Sequence, residues 1–292
     1  MEYMIFVEHP TKALAFLGLI ITFISLWVRR APWLWGSLLA ASCLFAFVGK
    51  LIDFRMVIAL AILCISHLIL TAKLCGGTRL IVALVAFVIS VLLIGHYFPG
   101  FHNWKIMGPT KLSPGAYPYS FYLNFDKPLI GLFPLALSIP LLSRMHLRSV
   151  LVKTFVLTAL GIVILMLVAL SLHLVKIDPK FPAITPLWLI ANLFLVSLPE
   201  EAFFRGFLQR EIHDHFHTKW SGPLGIFLVS VAFALLHFLF LQSYSYLLLA
   251  FLASLIYGTI YHVTRAIESA IFAHFLFNCL YFFCFSYPLL QK

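Results

Sequence analysis

Ten apolar runs, each near the length that crosses a bilayer, constrain this chain more than any other feature. A spanning helix needs about 17–25 mostly apolar residues. The runs are Ala13–Val28, Trp33–Val48, Met56–Thr71, Leu80–Phe98, Leu129–Leu142, Phe155–Val175, Leu187–Arg210, Pro223–Leu241, Tyr244–Val263 and Ser269–Tyr287. The second, third and fifth are short, and one of them could be re-entrant or interfacial. The expected fold is an all-α polytopic transmembrane helix bundle of eight to ten spans.

Composition agrees. Of 292 residues, 63% are hydrophobic and 30 are Phe, with a mean hydropathy of +1.04. A soluble domain needs far more polar surface. The net charge of +10 does not signal nucleic acid. The basic residues sit in small groups at the ends of apolar runs, as in Arg29/Arg30, Lys50/Arg55, Lys73/Arg79 and Arg144/Arg148, which is how interfacial anchors are placed. Trp27, Trp33, Trp35, Trp188 and Trp220 also fall near run boundaries, the pattern of an aromatic belt. The five cysteines form no C-x-x-C pair, and four lie within apolar runs, where they read as small hydrophobes. The N-terminus lacks the basic region and small-residue site of a signal peptide, so the first run is expected to stay as a span. The C-terminus carries no prenylation box.

The one long polar segment is Gly100 to Lys127, with Pro109, Pro114 and Pro118. It reads as an extramembrane loop. With ten spans and an outer N-terminus, the inner face collects slightly more Lys and Arg than the outer. The chain also divides by chemistry. Residues 1–175 hold few acids or paired polar groups within their apolar runs. Residues 176–292 accumulate intramembrane Glu, His, Arg and Asn, so any catalytic core belongs there.

Within the run from Leu187 stands Pro199-Glu200-Glu201-Ala202-Phe203-Phe204-Arg205. A charge at bilayer depth costs about 2.5–3.5 kcal/mol even on lenient scales, and such residues default to function. On an α-helix Glu201 and Arg205 lie four apart and can pair. Glu200 is turned about 100° away and is left to face a cavity. Pro199 is expected to kink the helix. Two further elements follow, Phe233-x-x-x-His237 and His274-x-x-x-Asn278. Each places its ends on one helix face. From the helical rise, Glu200, His237 and His274 lie roughly 15, 20 and 12 Å from the inner face, at one level.

A glutamate beside a histidine can activate water as a general base. A histidine and an asparagine on one face can donate to a developing oxyanion. Those are parts for hydrolysing an amide by direct water attack. Alternatively Glu200, His237 and His274 could hold Zn²⁺ with an open position for water; cofactors are therefore either none or Zn²⁺.

These three elements, in this order and at these gaps, resemble the E-E-x-x-x-R, F-x-x-x-H and H-x-x-x-N motifs of the CAAX-protease and bacteriocin-processing family of intramembrane proteases, also called the ABI family. The resemblance covers about Leu187 to Leu280. It implies a catalytic Glu200 working with His237 on water, an oxyanion site at His274 and Asn278, and supporting roles for Glu201, Arg205 and Phe233. Both metal-dependent and metal-free mechanisms are argued for that family. It implies membrane lipid and a membrane-associated peptide or protein as partners, the substrate being prenylated, lipid-anchored or small. By analogy the location is a prokaryotic plasma membrane.

Other readings compete. A proton-coupled secondary transporter could use Glu200, His237 and His274 as a relay, but inverted repeats are not visible. A non-catalytic immunity or scaffold member of the same family is a third possibility. His213 and His217 are four apart and could share a metal, against the simpler reading of a solvated helix end. Glu268 and Arg265 read as an interfacial ion pair. His67, His96, His173 and His262 receive no role. Asp126, in the loop, reads either as structural or as part of a path for substrate.

Overall fold

A computed structural model describes residues 4–142, 147–216 and 218–291. Arg144 and His217, named above, lie outside the described residues. The chain is built from α-helices, because in hydrocarbon only a helix or a closed barrel satisfies its own backbone. In order they are α1 Met4–Glu8, α2 Pro10–Val28, α3 Pro32–Val48, α4 Met56–Leu70, α5 Gly76–Ile94, α6 Leu129–Leu137, α7 Leu147–Ser171, α8 Thr185–Ala191, α9 Leu198–Glu201, α10 Arg210–His215, α11 Ser221–Leu241, α12 Tyr244–Thr264 and α13 Ile267–Cys284. Helices α8 to α10 form one continuous stretch, Thr185–His215. Among the described residues seven helices are long and apolar enough to cross a membrane, and Pro32–Val48 and Met56–Leu70 are shorter apolar helices. This is the expected all-α bundle.

The fifth expected run departs from the sequence reading. Its helix, α6, has nine residues, about 14 Å at 1.5 Å per residue, too short to span. Pro140 lies just beyond its end. Residues Leu129 to Ala136 are all buried, so α6 is a core helix whose apolar sequence reflects packing against protein. The Gly100–Lys127 segment is also more ordered than a loop. Strands β1 Trp104–Thr110 and β2 Tyr119–Leu123 pair within it. Trp104 is buried, with Phe6, His9 and Phe16 around its ring. Of the tryptophans read as interfacial, Trp27, Trp33 and Trp220 are exposed. Trp35 and Trp188 are core residues instead, set against Phe133 and stacked on Phe282 at 4.0 Å.

The chain forms two compact units. The first comprises Met1–Gly108, Ser120–Ile139 and Leu193–Ala202; the second comprises Pro109–Tyr119, Pro140–Asn192 and Phe203–Lys292. This packing does not follow the sequence division at 175/176. Helix α7 packs on α12 and α13, which draws it into the second unit, while residues 193–202 join the first. Small side chains allow close helix contact in each. In the first, a Cβ on Gly18 of α2 would come within 3.0 Å of Ser42, and Ser42 Oγ donates to the Ala15 carbonyl at 2.7 Å. In the second, Thr154 Oγ1 of α7 donates to Ser269 Oγ of α13 at 2.7 Å.

Candidate active site

The stretch carrying the glutamate pair is not a plain α-helix. Residues Asn192–Ser197 and Ala202–Gln209 are π-helical, and α9 is the four-residue α-turn between them. A π-turn bonds five residues back rather than four. The second run of π-turns begins at Ala202, directly after the glutamate pair. Pro199 opens the short α-turn.

In the first unit, Glu200 and Glu201 are 3% and 0% exposed. Helix α6 reaches this segment through Gly131. A Cβ there would overlap the backbone of Pro199, 2.6 Å from its carbonyl oxygen, so only glycine permits the approach. Just before α6, Lys127 Nζ lies 2.5 Å from Glu200 Oε1. Asp126 is 1% exposed, and its Oδ1 accepts the Lys127 amide at 2.8 Å. Its Oδ2 is 2.7 Å from His96 Nδ1. The sequence reading gave His96 and Lys127 no role and left Asp126 open. No local signal marks them, since Asp-Lys-Pro before a helix reads as an ordinary interfacial start.

In the second unit, Arg205 is fully buried. Its Nη2 donates to the Ser254 carbonyl at 3.0 Å and to Ser254 Oγ at 2.7 Å. Its guanidinium lies 5.7, 5.2 and 5.5 Å from the rings of Phe204, Phe233 and Tyr257, within cation–π range. Phe233 also stacks on His237, with ring centroids 4.1 Å apart. His237 Nδ1 lies 2.8 Å from the Phe233 carbonyl. A carbonyl only accepts, so Nδ1 carries the proton and the acid–base chemistry of the ring falls to Nε2. His274 stacks on Tyr257 at 4.9 Å and 14°. Asn278 Nδ2 donates to Asn192 Oδ1 at 3.4 Å.

His237, His274 and Asn278 share one cavity of about 60 Å³ with Phe233, Tyr246 and Tyr257. That volume holds a few waters. Helices α11, α12 and α13 thus gather two imidazoles and a carboxamide around a small polar space. Asn192 and Tyr257 were missed from the sequence. Asn192, a carboxamide inside an apolar run, was open to the same depth argument as Glu200.

Among the described residues no three His, Cys, Asp or Glu side chains are gathered as metal ligands. Glu200 Oε1 meets the Lys127 ammonium. His213, the described member of the other proposed metal pair, lies 2.9 Å from Ser221 Oγ through Nδ1. Glu268 Oε1 accepts the Leu142 amide at 3.0 Å.

Residues 182–280 match the Rce1-like family, type II CAAX prenyl endopeptidase. The Rce1-like segment is about a third of the chain and holds all seven residues singled out from the sequence. Comparison with curated proteins and with solved structures finds no match. At family level the Rce1-like segment resembles a CAAX-type intramembrane protease, and the chain is an integral, multi-pass membrane protein. His96, Asp126 and Lys127 fall outside the Rce1-like segment.

Proposed function

We propose that this protein is an intramembrane endopeptidase that hydrolyses a peptide bond with activated water. Glu200 is the general base. His237, through Nε2, is the second acid–base group, and His274 and Asn278 donate to the oxyanion. Arg205 holds Phe233 and Tyr257, on which the two imidazoles stack. The observation that carries the reading is the common cavity of His237, His274 and Asn278 inside the Rce1-like segment. No nucleophile is required, since the water is activated by acid–base groups. The substrate is a prenylated, lipid-anchored or small membrane-associated peptide or protein, met in a prokaryotic plasma membrane.

The test uses the whole protein in liposomes with a farnesylated, internally quenched peptide ending in Cys-aliphatic-aliphatic-X. Glu200→Ala and His237→Ala should each abolish cleavage while the protein still inserts and stays folded. Their combination should cost no more than either alone, because residues acting as a unit are non-additive. Full cleavage by Glu200→Ala would sink the assignment.

A further inference from the structure

We propose that Lys127 is a positioning residue for Glu200, set in place by Asp126 and His96. The proposal rests on the reading of Glu200 as the general base. A buried carboxylate needs a countercharge held in good geometry, and Lys127 Nζ supplies one at 2.5 Å, with the two side chains 20% and 4% exposed. The lysine stem is flexible, so its aim depends on the backbone that carries it. Asp126 pins that backbone. One of its oxygens accepts the Lys127 amide at 2.8 Å and the other meets His96 Nδ1 at 2.7 Å. Asn124 Nδ2 lies 3.3 Å from His96 Nε2. A single neutral tautomer satisfies both contacts, with Nδ1–H donating to Asp126 and Nε2 accepting from Asn124. The main chain then enters α6, where the Leu129 amide donates to the Asp126 carbonyl at 3.1 Å and Gly131 rests on Pro199. The Glu200 segment is therefore held twice from one helix start, by backbone at Pro199 and by charge at Glu200. This fixes the plane and the charge of the carboxylate.

The experiment compares the wild-type protein with Lys127→Met, Lys127→Arg and Asp126→Asn, each whole and in liposomes, on the farnesylated peptide probe. Lys127→Met should lower kcat by about 10–100-fold, the scale of a small misplacement, with KM little changed. Lys127→Arg should restore most of it, and Asp126→Asn, which keeps the ammonium, should give a smaller loss in kcat. A second readout is independent of cleavage. A hydrophobic carbodiimide reacts with protonated carboxyls, so peptide mass spectrometry should find Glu200 labelled in Lys127→Met and unlabelled in the wild type and in Lys127→Arg. Wild-type kcat together with unlabelled Glu200 in Lys127→Met overturns the proposal. If the labelling pattern holds while even the wild type leaves the probe intact, the pairing stands and the reading of Glu200 as a peptidase base falls. If Lys127→Met fails to insert, the kcat of Asp126→Asn decides, and an unchanged value overturns the proposal.

Discussion

Glu200 in the first unit meets an ammonium at 2.5 Å, whereas Arg205 in the second lies among three aromatic rings and the oxygens of Ser254. Both side chains are buried in a chain made mostly of apolar residues. The first arrangement is point charge against point charge and depends on where one atom sits. The second spreads a delocalised cation over flat π-faces and depends on shape. The difference matters for the imidazoles. His237 and His274 stack on Phe233 and Tyr257, two of the rings that also face Arg205, so the cation and the histidines share one aromatic framework. Glu200 is supported by a polar chain that begins at Asn124 and His96.

The largest expected effect tests whether the second unit's polar wall is chemical or merely structural. His274→Ala and Asn278→Ala should each lower kcat on the peptide probe by about 10²–10³, the loss seen when one oxyanion donor is removed, with little change in melting temperature. A melting temperature that falls in step with kcat would make the wall structural. Next comes the contrast between the two cations. Arg205→Lys keeps the charge but loses the planar fork and the stack. It should destabilise the protein in detergent by about 1.5–3 kcal/mol, the worth of hydrogen bonds to a charged group, while Lys127→Arg stays near wild type. Equal stability of the two would erase the distinction drawn between the units.

A smaller loss is expected at the close contact of α6. Gly131→Ala should cost about 1–3 kcal/mol through overpacking, read as a lower melting temperature, and an unchanged value would mean the Pro199 approach is not tight. The smallest effect concerns an exposed pair of the first unit. The side-chain hydrogen bond from Arg55 holds the Asp53 carboxyl down at about 2 against an ordinary 3.8. The folded value is the lower one, so the pair stabilises above about pH 4 and fades as pH falls through the folded value. The melting-temperature gap between wild type and Asp53→Asn should be small near neutral pH and vanish in strong acid. A gap that persists in strong acid would assign the effect to something other than this charge.

What the sequence revealed follows from what lipid demands. Long apolar runs with a glutamate pair inside them mark both the bundle and Glu200, because hydrocarbon tolerates neither open backbone nor idle charge. The spacing of Phe233 to His237 and of His274 to Asn278 carried over because α11 and α13 are regular helices. Hydropathy is blind to other distinctions. It cannot separate α6, buried by protein, from a helix buried by lipid, nor Trp188 in the core from a tryptophan at the interface. It cannot detect a π-turn, since apolar residues look alike whether the bond reaches four or five residues back. Lys127 was out of reach for a further reason. Its partner lies far along the chain, and only the fold of the intervening helices brings the two together.

The two π-helical segments around Glu200 make the site depend on residue number as well as residue type. Each closes its hydrogen-bonded rings with one more residue than an α-helix uses. A π-turn absorbs one extra residue, so losing one from Asn192–Ser197 is a deletion the helix can relax around, whereas losing one from the α-turns of Thr185–Ala191 would turn the residues beyond it by about 100°, carrying Glu200 away from Lys127 with every side chain unchanged. The chain is thus exposed to a class of lesion that substitution scans never sample. Loss of one codon in α8 amounts to a rotation of the helix, and a compensating insertion in the same turn is the natural suppressor.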